Sequence, residues 1–473
     1  MAANRQGSDL CPGYGGAAMS RRQMLTCASN GFGLLAASTL MADDAYAGLA
    51  DQRGPHFAPK AKNIIFCYMP GAVSHIDTFD PKPKLDELHG QNQTPDGTRK
   101  WKKSPWKFRQ YGQSGIPISD VFPHIATVAD ELAVVRSMKT GFPLHPRGNM
   151  MMHTGRGVGG HPSLGSWINY GLGSESKNLP GYVLLHGGTI PPGGLESFSN
   201  GCLPASHQAM PVKAEGNPID NIVPADKDPR LQRAKLDAIL QQDQSLAASL
   251  GSHDGIESAI RNYELAYRMQ SLVPDVLNLD RESEATKRLY GLHTKNKNKR
   301  LYSQQCLRAR RLIEAGVRFV EITCPDIFGG NNGTWDQHTE LKEGHEGNSL
   351  VTDQGVTALI KDLRSRGMLD ETLVVWGTEF GRTPHTGNVH GRDHHETAFS
   401  MWLAGAGIKG GTIHGATDDV GMYSVENITS VHDIHATILH LFGLDHERLS
   451  YRFGGRDVSL TDVHGKVVQE IVA

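Results

Sequence analysis

Cysteine is scarce in this chain. Six are spread over 473 residues, none in close CxxC spacing, so the sequence does not encode a disulfide scaffold and buried free thiols are the default. A dominant charge is missing too. The formal net charge of −2 gives no general pull toward nucleic acid or anionic lipid, and any steering of anions must come from local patches. No apolar run is long enough for a permanent membrane span, and no internal repeat is visible. What is present, 38% hydrophobic and 21% charged residues, is ordinary for a soluble globular chain long enough for one large α/β domain or two smaller ones.

The first fifty residues read as an address. SRRQML at Ser20 to Leu25 is a twin-arginine pattern, GFGLLAASTLMA follows as an apolar small-residue stretch, and AYA at Ala45 to Ala47 fits a cleavage site. A Tat leader over 1–47 is expected, with initiation at Met1 or Met19, leaving 48–473 as the exported, extracytoplasmic protein.

Along the remainder, short β-branched runs alternate with helical patterns. NIIFCYM (Asn63 to Met69), LAVVRSM (Leu132 to Met138), GYVLL (Gly181 to Leu185), VRFVEITC (Val317 to Cys324) and TLVVW (Thr372 to Trp376) predict buried strands. Val356, Leu359, Ile360 and Leu363 recur at helical spacing before Gly367, and a second helical pattern ends at Gly316. Buried strands joined by helices imply right-handed crossovers and a largely parallel sheet covered on both faces. The segment 191–298 reads as a loop and helical insertion, with helices around Leu231 to Leu250 and Ile256 to Leu272.

The densest chemistry lies in TEFGRTPHTGNVHGRDHHET, Thr378 to Thr397, which holds four histidines and three acidic residues directly after an apolar run. Neutral imidazole and carboxylate are the usual ligands of divalent cations, so this loop predicts one wall of a metal site. Two segments offer a second wall: Asp336 and His338 in TWDQH, and His75, Asp77 and Asp80 in SHIDTFD. Asp77, His145, Asp336, His338 and Glu379 all follow predicted strand ends, where ligands bind in such sheets. His145 opens HPRGNMMMHTGR, with Pro146 at a favoured first helical position. It is read either as a metal ligand or oxyanion contact, or as a plain helix cap.

Taken together, the twin-arginine leader, GAVSHIDTFDPKP, HPRGNMMMHTGR, HPSLGSWINYGLGSESKNLPGYVLL, WDQH, TEFGRTP, GRDHH and HDIHATILHLFGLD resemble the bacterial domain of unknown function 1501 family, in the form abundant in planctomycetes. That family is similar to sulfatases and lies in the alkaline phosphatase superfamily. The resemblance implies a three-layer α/β/α sandwich with a largely parallel central sheet and one or two divalent ions. It carries ligand roles onto Asp77, Asp336, His338, Glu379 and His394, with Asp393, His395 and His390 as neighbours of His394. Phe380 stands where the superfamily has an imidazole, and His145 falls where sulfatases carry the cysteine that becomes formylglycine. Formylglycine chemistry is therefore excluded, leaving a metal-activated water, His145 itself, or a hydroxyl such as Ser74 or Thr154 as the attacking group.

These readings converge on an exported metal-dependent hydrolase of phosphate or sulfate esters. Arg147, Arg156 or Arg382 would neutralise an anionic small-molecule or polysaccharide substrate. The mixed ligand set suits zinc or manganese, whereas an oxygen-rich one would suit calcium. The competing expectation is a non-catalytic metal-containing protein that binds anionic, sulfated polysaccharide through TRKWKKSPWKFRQYG, Thr98 to Gly112, a stretch that otherwise reads as a solvated loop. The histidines of HDIHATILHLFGLD are assigned to a packing helix.

Overall fold

Six residues, NIIFCY, form strand β1 (Asn63–Tyr68), and all six are buried. A strand with no polar face must be covered on both sides. In the computed structural model, which describes residues 54–188, 190–216, 218, 219, 222, 228–250, 254–327, 335–386 and 390–473, this is what β1 does. Ile65 and Cys67 enter one apolar core, while Ile64, Phe66 and Tyr68 enter a second on the opposite face. The expected leader over 1–47 lies outside the described residues.

The other strands of the central sheet are β2 (Leu132–Lys139), β3 (Tyr182–His186), β4 (Met210–Lys213), β5 (Phe319–Thr323), β6 (Thr372–Gly377), β7 (Phe399–Gly405), β8 (Thr412–His414) and β9 (Thr429–Ser430). Their order is β8-β2-β7-β6-β1-β5-β3-β4, with β9 paired to β2. All five sequence-predicted strands are among them. Strand β7 runs antiparallel to both β6 and β2, and every other pairing is parallel. The sequence reading assigned no strand to Phe399–Gly405, yet this one reversal has consequences for the site: the loop before β7 emerges at the same end of the sheet as the carboxyl ends of its neighbours.

Seven helices of nine or more residues pack around the sheet among the described residues: α1 (His145–Thr154), α2 (Leu164–Leu172), α3 (Pro229–Leu250), α4 (Asp254–Leu277), α5 (Lys297–Glu314), α6 (Leu341–Ser365) and α7 (Val431–Leu441). Helices α5 and α6 cover the first core through residues such as Leu307, Leu312, Val356 and Leu359. Helices α1, α2 and α7 cover the second through Met152, Trp167, Ile434 and Ile438. The result is a three-layer α/β/α sandwich. The segment 191–298 contributes α3 and α4, with Met269 and Val273 of α4 joining the first core. It also carries β4, so part of the expected insertion belongs to the sheet edge itself. Helix α7 packs as expected, its His435 buried with Nε2 on the Met152 carbonyl oxygen at 2.8 Å.

Helix α1 starts one residue earlier than the sequence suggests. Leu144 is the N-cap and makes no side-chain cap bond, so His145 is already helical and its ring turns inward. Gly155, at φ 68°, ends the helix. His145, Asn149 and His153 repeat at i, i+4 and i+8 and are all buried, forming a polar stripe against the sheet. His153 meets the buried Glu321 of β5 at 2.7 Å, and the Tyr68 hydroxyl of β1 donates to Asn149. Buried polar groups need such partners, and the stripe fixes the rotation of α1 on the sheet. Leu359 of α6 is fully buried in the first core. Leu359→Ala is expected to cost about 2–5 kcal/mol in chemical denaturation.

Candidate metal centre

Three connections at the same end of the sheet bring distant residues together, the β6 loop and the approach to β7 being one segment. The β2 loop delivers His145, the β5 loop delivers Asp336 and His338, the β6 loop delivers Glu379 and Arg382, and the approach to the reversed β7 delivers His394. His394 is placed by a two-residue antiparallel pairing, Gly381–Arg382 against His394–His395.

The ligand atoms converge on the Asp336 carboxylate. His338 Nε2 lies 3.0 Å from Asp336 Oδ1, His394 Nε2 lies 3.1 Å from the same oxygen, and His145 Nε2 lies 3.3 Å from Oδ2. His338 Nε2 and His394 Nε2 are 3.0 Å apart. Ligand atoms bound at about 2.0–2.1 Å to a tetrahedral ion are separated by about 3.3 Å; the spacings among Asp336 Oδ1, His338 Nε2 and His394 Nε2 are close to that, whereas His145 approaches the other carboxylate oxygen. His145 Nε2 is buried and poorly aligned for a hydrogen bond to Asp336, which leaves it without a hydrogen-bond partner among the described residues. His145, Asp336 and His394 can each offer one ligand atom with all three within 4.8 Å of one another.

Each imidazole also has an acceptor behind its outer nitrogen, close for two of them and more distant for His338. His145 Nδ1 meets Glu379 Oε1 at 2.6 Å, His394 Nδ1 meets the Pro143 carbonyl oxygen at 2.8 Å, and His338 Nδ1 faces Asp393 Oδ1 at 3.4 Å. Metal-binding histidines characteristically give their outer nitrogen to a carboxylate or carbonyl, which fixes the tautomer and aims the other nitrogen inward. Phe380, which the resemblance set in an imidazole's place, stacks on His145 and packs against His394, with ring centroids 5.0 Å and 4.9 Å apart. Helix α1 approaches Phe380 this closely because residue 148 is glycine: a Cβ there would lie 2.9 Å from the Phe380 ring.

Electrostatics suit a cation. Burial would raise the Asp336 pKa, but the three imidazoles and Arg382 hold its carboxyl far below the usual carboxylate range. Burial would lower the pKa of His145, yet the Asp336 and Glu379 carboxylates on either side push it up to about 9. Burial, reinforced by Arg382 and His145, lowers that of His394 despite the opposing pull of Asp336 and keeps its ring in the neutral, ligating form. The donor set is rich in nitrogen and fits zinc or another borderline transition ion better than the oxygen-seeking calcium or magnesium.

Not every predicted site residue joins this cluster. Glu379 is fully buried behind His145: Oε1 also accepts the Gly71 N–H at 2.8 Å, and Oε2 accepts the Thr378 hydroxyl at 2.9 Å, with the Tyr68 hydroxyl 3.3 Å away. Both its oxygens are occupied, which places it as the group that orients His145. Asp77 lies elsewhere, in a fully buried pair with Arg392, whose Nε donates at 2.7 Å and Nη2 at 3.2 Å, and it also accepts from Ser74. Burial pushes the Asp77 pKa up and Arg392 more than reverses this. Arg382 is fully buried; it donates to Asp336 at 2.6 Å and to carbonyl oxygens of Gly71, Ala72, Trp335 and Arg392, so its guanidinium is used up in holding the loops. Arg156 pairs with Asp462 at 2.8 Å. Arg147 is exposed, with its guanidinium 5.9 Å from the centre of the Phe142 ring. His390 and Asp393 are exposed, and His395 turns away to the Met422 carbonyl oxygen.

The sequence reading missed Tyr68, Asn149 and Arg392. A tyrosine closing a predicted strand beside two expected ligands was the available signal for the first; nothing marked the other two. In the basic stretch at 98–112, Lys100–Trp101 pairs with His385–Thr386 and Trp106 donates to Glu346 and packs on His345, so both tryptophans serve internal contacts.

The family profile described as Protein of unknown function (DUF1501) matches residues 61–472. The chain belongs to that family. No curated protein matches the sequence. Among solved structures, this DUF1501 chain is similar to a 2-O GAG sulfatase, at 11% identity and TM-score 0.38, over 86% of this chain and 73% of the other. A protein of the alkaline phosphatase superfamily from Vibrio parahaemolyticus matches at 10% identity and TM-score 0.38, over 89% and 72%. The phosphonate monoester hydrolase of Silicibacter pomeroyi matches at 12% identity and TM-score 0.38, over 86% and 76%. These likenesses concern the fold alone. No helix among the described residues is long and apolar enough to cross a membrane.

Two outcomes follow for this centre. The folded His145 pKa of about 9 lies above its ordinary 6.5. Its stabilising contribution in metal-free protein is therefore complete below pH 6.5 and is lost as pH rises through 9. Thermal unfolding in chelator should show this decline, and His145→Gln should flatten it; a wild-type curve level across that window would contradict the assignment. An ion requires the neutral ring, so saturating zinc should oppose the decline. Separately, Glu379→Gln should weaken zinc binding by roughly 10–100-fold in a competition titration, the loss typical of an orienting partner.

Proposed function

We propose that this protein is an exported metal-dependent hydrolase of phosphate or sulfate esters. The observation that carries this reading is the cluster of His145, Asp336 and His394, each able to offer one ligand atom with all three within 4.8 Å of one another, and with His338 Nε2 3.0 Å from the same aspartate. A divalent ion bound there would polarise an ester oxygen and lower the pKa of a bound water from 15.7 to about 7.

The chain's own residues favour water as the attacking group. Both ring nitrogens of His145 face carboxylates, which gives it a ligand's role and takes it out of direct attack. The Ser74 hydroxyl is buried on Asp77, and the Thr154 hydroxyl donates to the Met150 carbonyl oxygen at 2.8 Å. Neither hydroxyl is available as a nucleophile. Of the three candidate arginines, Arg382 is engaged by Asp336 and Arg156 by Asp462, which leaves Arg147, exposed on the first turn of α1, as the candidate contact for an anionic substrate. Export through the Tat machinery is supported by the twin-arginine pattern and the small-residue cleavage site that precede 48–473. Folded export would let the ion load before translocation.

One observation favours the alternative of a non-catalytic metal-containing binding protein: with His338 beside His145, Asp336 and His394, the protein has enough side chains to make up a four-ligand shell, as structural zinc sites do. Elemental analysis of native protein beside Asp336→Ala and His394→Ala, combined with turnover of aryl phosphate and aryl sulfate esters, tests the reading. We expect a bound transition ion and measurable hydrolysis in the native protein, both lost in the two variants. A native protein that binds no ion, or a loaded protein inert toward every phosphate and sulfate ester tried, would end it.

A further inference from the structure

The four converging side chains are held unequally. His145 is 3% exposed and its Nδ1 lies 2.6 Å from a carboxylate that is 0% exposed. Asp336 is 9% exposed and locked by Arg382. His394 is 19% exposed, with Nδ1 2.8 Å from a backbone carbonyl oxygen. His338 differs from all of them: its side chain is 42% exposed, and its outer nitrogen faces Asp393, itself 51% exposed, at 3.4 Å. An exposed contact of that length contributes little to holding a ring in place.

The backbone beneath His338 is, by contrast, firmly fixed. Gly391 packs so tightly on it that a Cβ at 391 would come within 1.7 Å of the His338 carbonyl oxygen. The Arg392 N–H donates to the Gln337 carbonyl oxygen at 3.2 Å, and Leu341 N–H to that of His390 at 3.3 Å. Motion at this position is therefore confined to the imidazole, which can rotate toward solvent without moving the loop.

We propose that His338 is an exchangeable ligand, and that the coordination position it occupies is where the anionic oxygen of the substrate enters. This deepens the reading given under Proposed function and rests on it. Three anchored groups, His145, Asp336 and His394, retain the ion. With an ion held there, the ring of His338 would close the fourth position and would give way to an incoming oxyanion. A site with three protein ligands and one exchangeable position is the arrangement of catalytic zinc, whereas four fixed ligands make a structural one. The unequal anchoring thus separates the two functional readings of the same four residues.

Cobalt(II)-substituted protein provides a readout that does not depend on turnover. In wild type, inorganic phosphate or sulfate should alter the d–d absorption spectrum as an oxygen replaces the His338 nitrogen. His338→Ala should still bind cobalt and zinc, with affinity lowered less than in His394→Ala, and should bind the anion more tightly because no ring has to leave. Overturning results are a wild-type spectrum indifferent to both anions, or His338→Ala losing the ion as completely as His394→Ala, since either marks His338 as a fixed ligand. Failure of wild type to bind cobalt or zinc at all would instead overturn the underlying metal reading, so the two failures are distinguishable. Circular dichroism of each variant separates loss of a ligand from loss of the fold.

Discussion

A buried carboxylate facing three imidazoles and a guanidinium is the interaction on which the rest of this site depends. Asp336 occupies that point: Arg382 donates to it at 2.6 Å, and the Nε2 atoms of His338, His394 and His145 stand 3.0, 3.1 and 3.3 Å away. A lone carboxylate so placed would be too costly to leave ionised. Its neighbours make it a stable anion, and that anion fixes where the nitrogens point. Arg382 also gathers carbonyl oxygens from the β1 loop, the β5 loop and the GRDHH segment, so one side chain couples the backbone of three loops to the position of one ligand.

The sheet makes this coupling possible. Parallel strands deliver their following loops to one end, and the single reversed strand β7 brings its preceding loop to that same end. His394 therefore joins residues about 250 and 60 positions earlier in the chain. Behind it, the polar stripe of α1 against Tyr68 and Glu321 sets the rotation of the helix, and Glu379 sets the rotation of the His145 ring. Two cations, Arg382 and Arg392, are buried close to the centre, and each is matched to its own aspartate.

Membership of DUF1501 leaves the chemistry to be argued from the site itself. What distinguishes this centre is its wealth of nitrogen, three imidazoles around one aspartate, one of them from the histidine at residue 145. The same histidine shows how an expectation can be half right: its place after a strand and at a helix start was legible, but a cap role was not realised, because the helix begins at His145 and carries the ring into the interior.

Much of the fold was written in local pattern. Runs such as NIIFCYM and TLVVW, being apolar on both faces, had to be central strands, and the helical spacing ending at Gly316 and Gly367 had to lie across them. Composition also marked Thr378 to Thr397 as a ligand-bearing loop. Which of its histidines would face the centre was decided only in three dimensions, where pairing of Gly381–Arg382 with His394–His395 sends one ring inward and turns the next toward Met422. The same holds for Asp77, claimed by Arg392, and for Glu379, enclosed behind His145. Strand and helix type follow from neighbours in sequence, because they depend on backbone preference and on which face is apolar. The direction of a ligand atom follows from side-chain rotation, and that is set by partners hundreds of residues away.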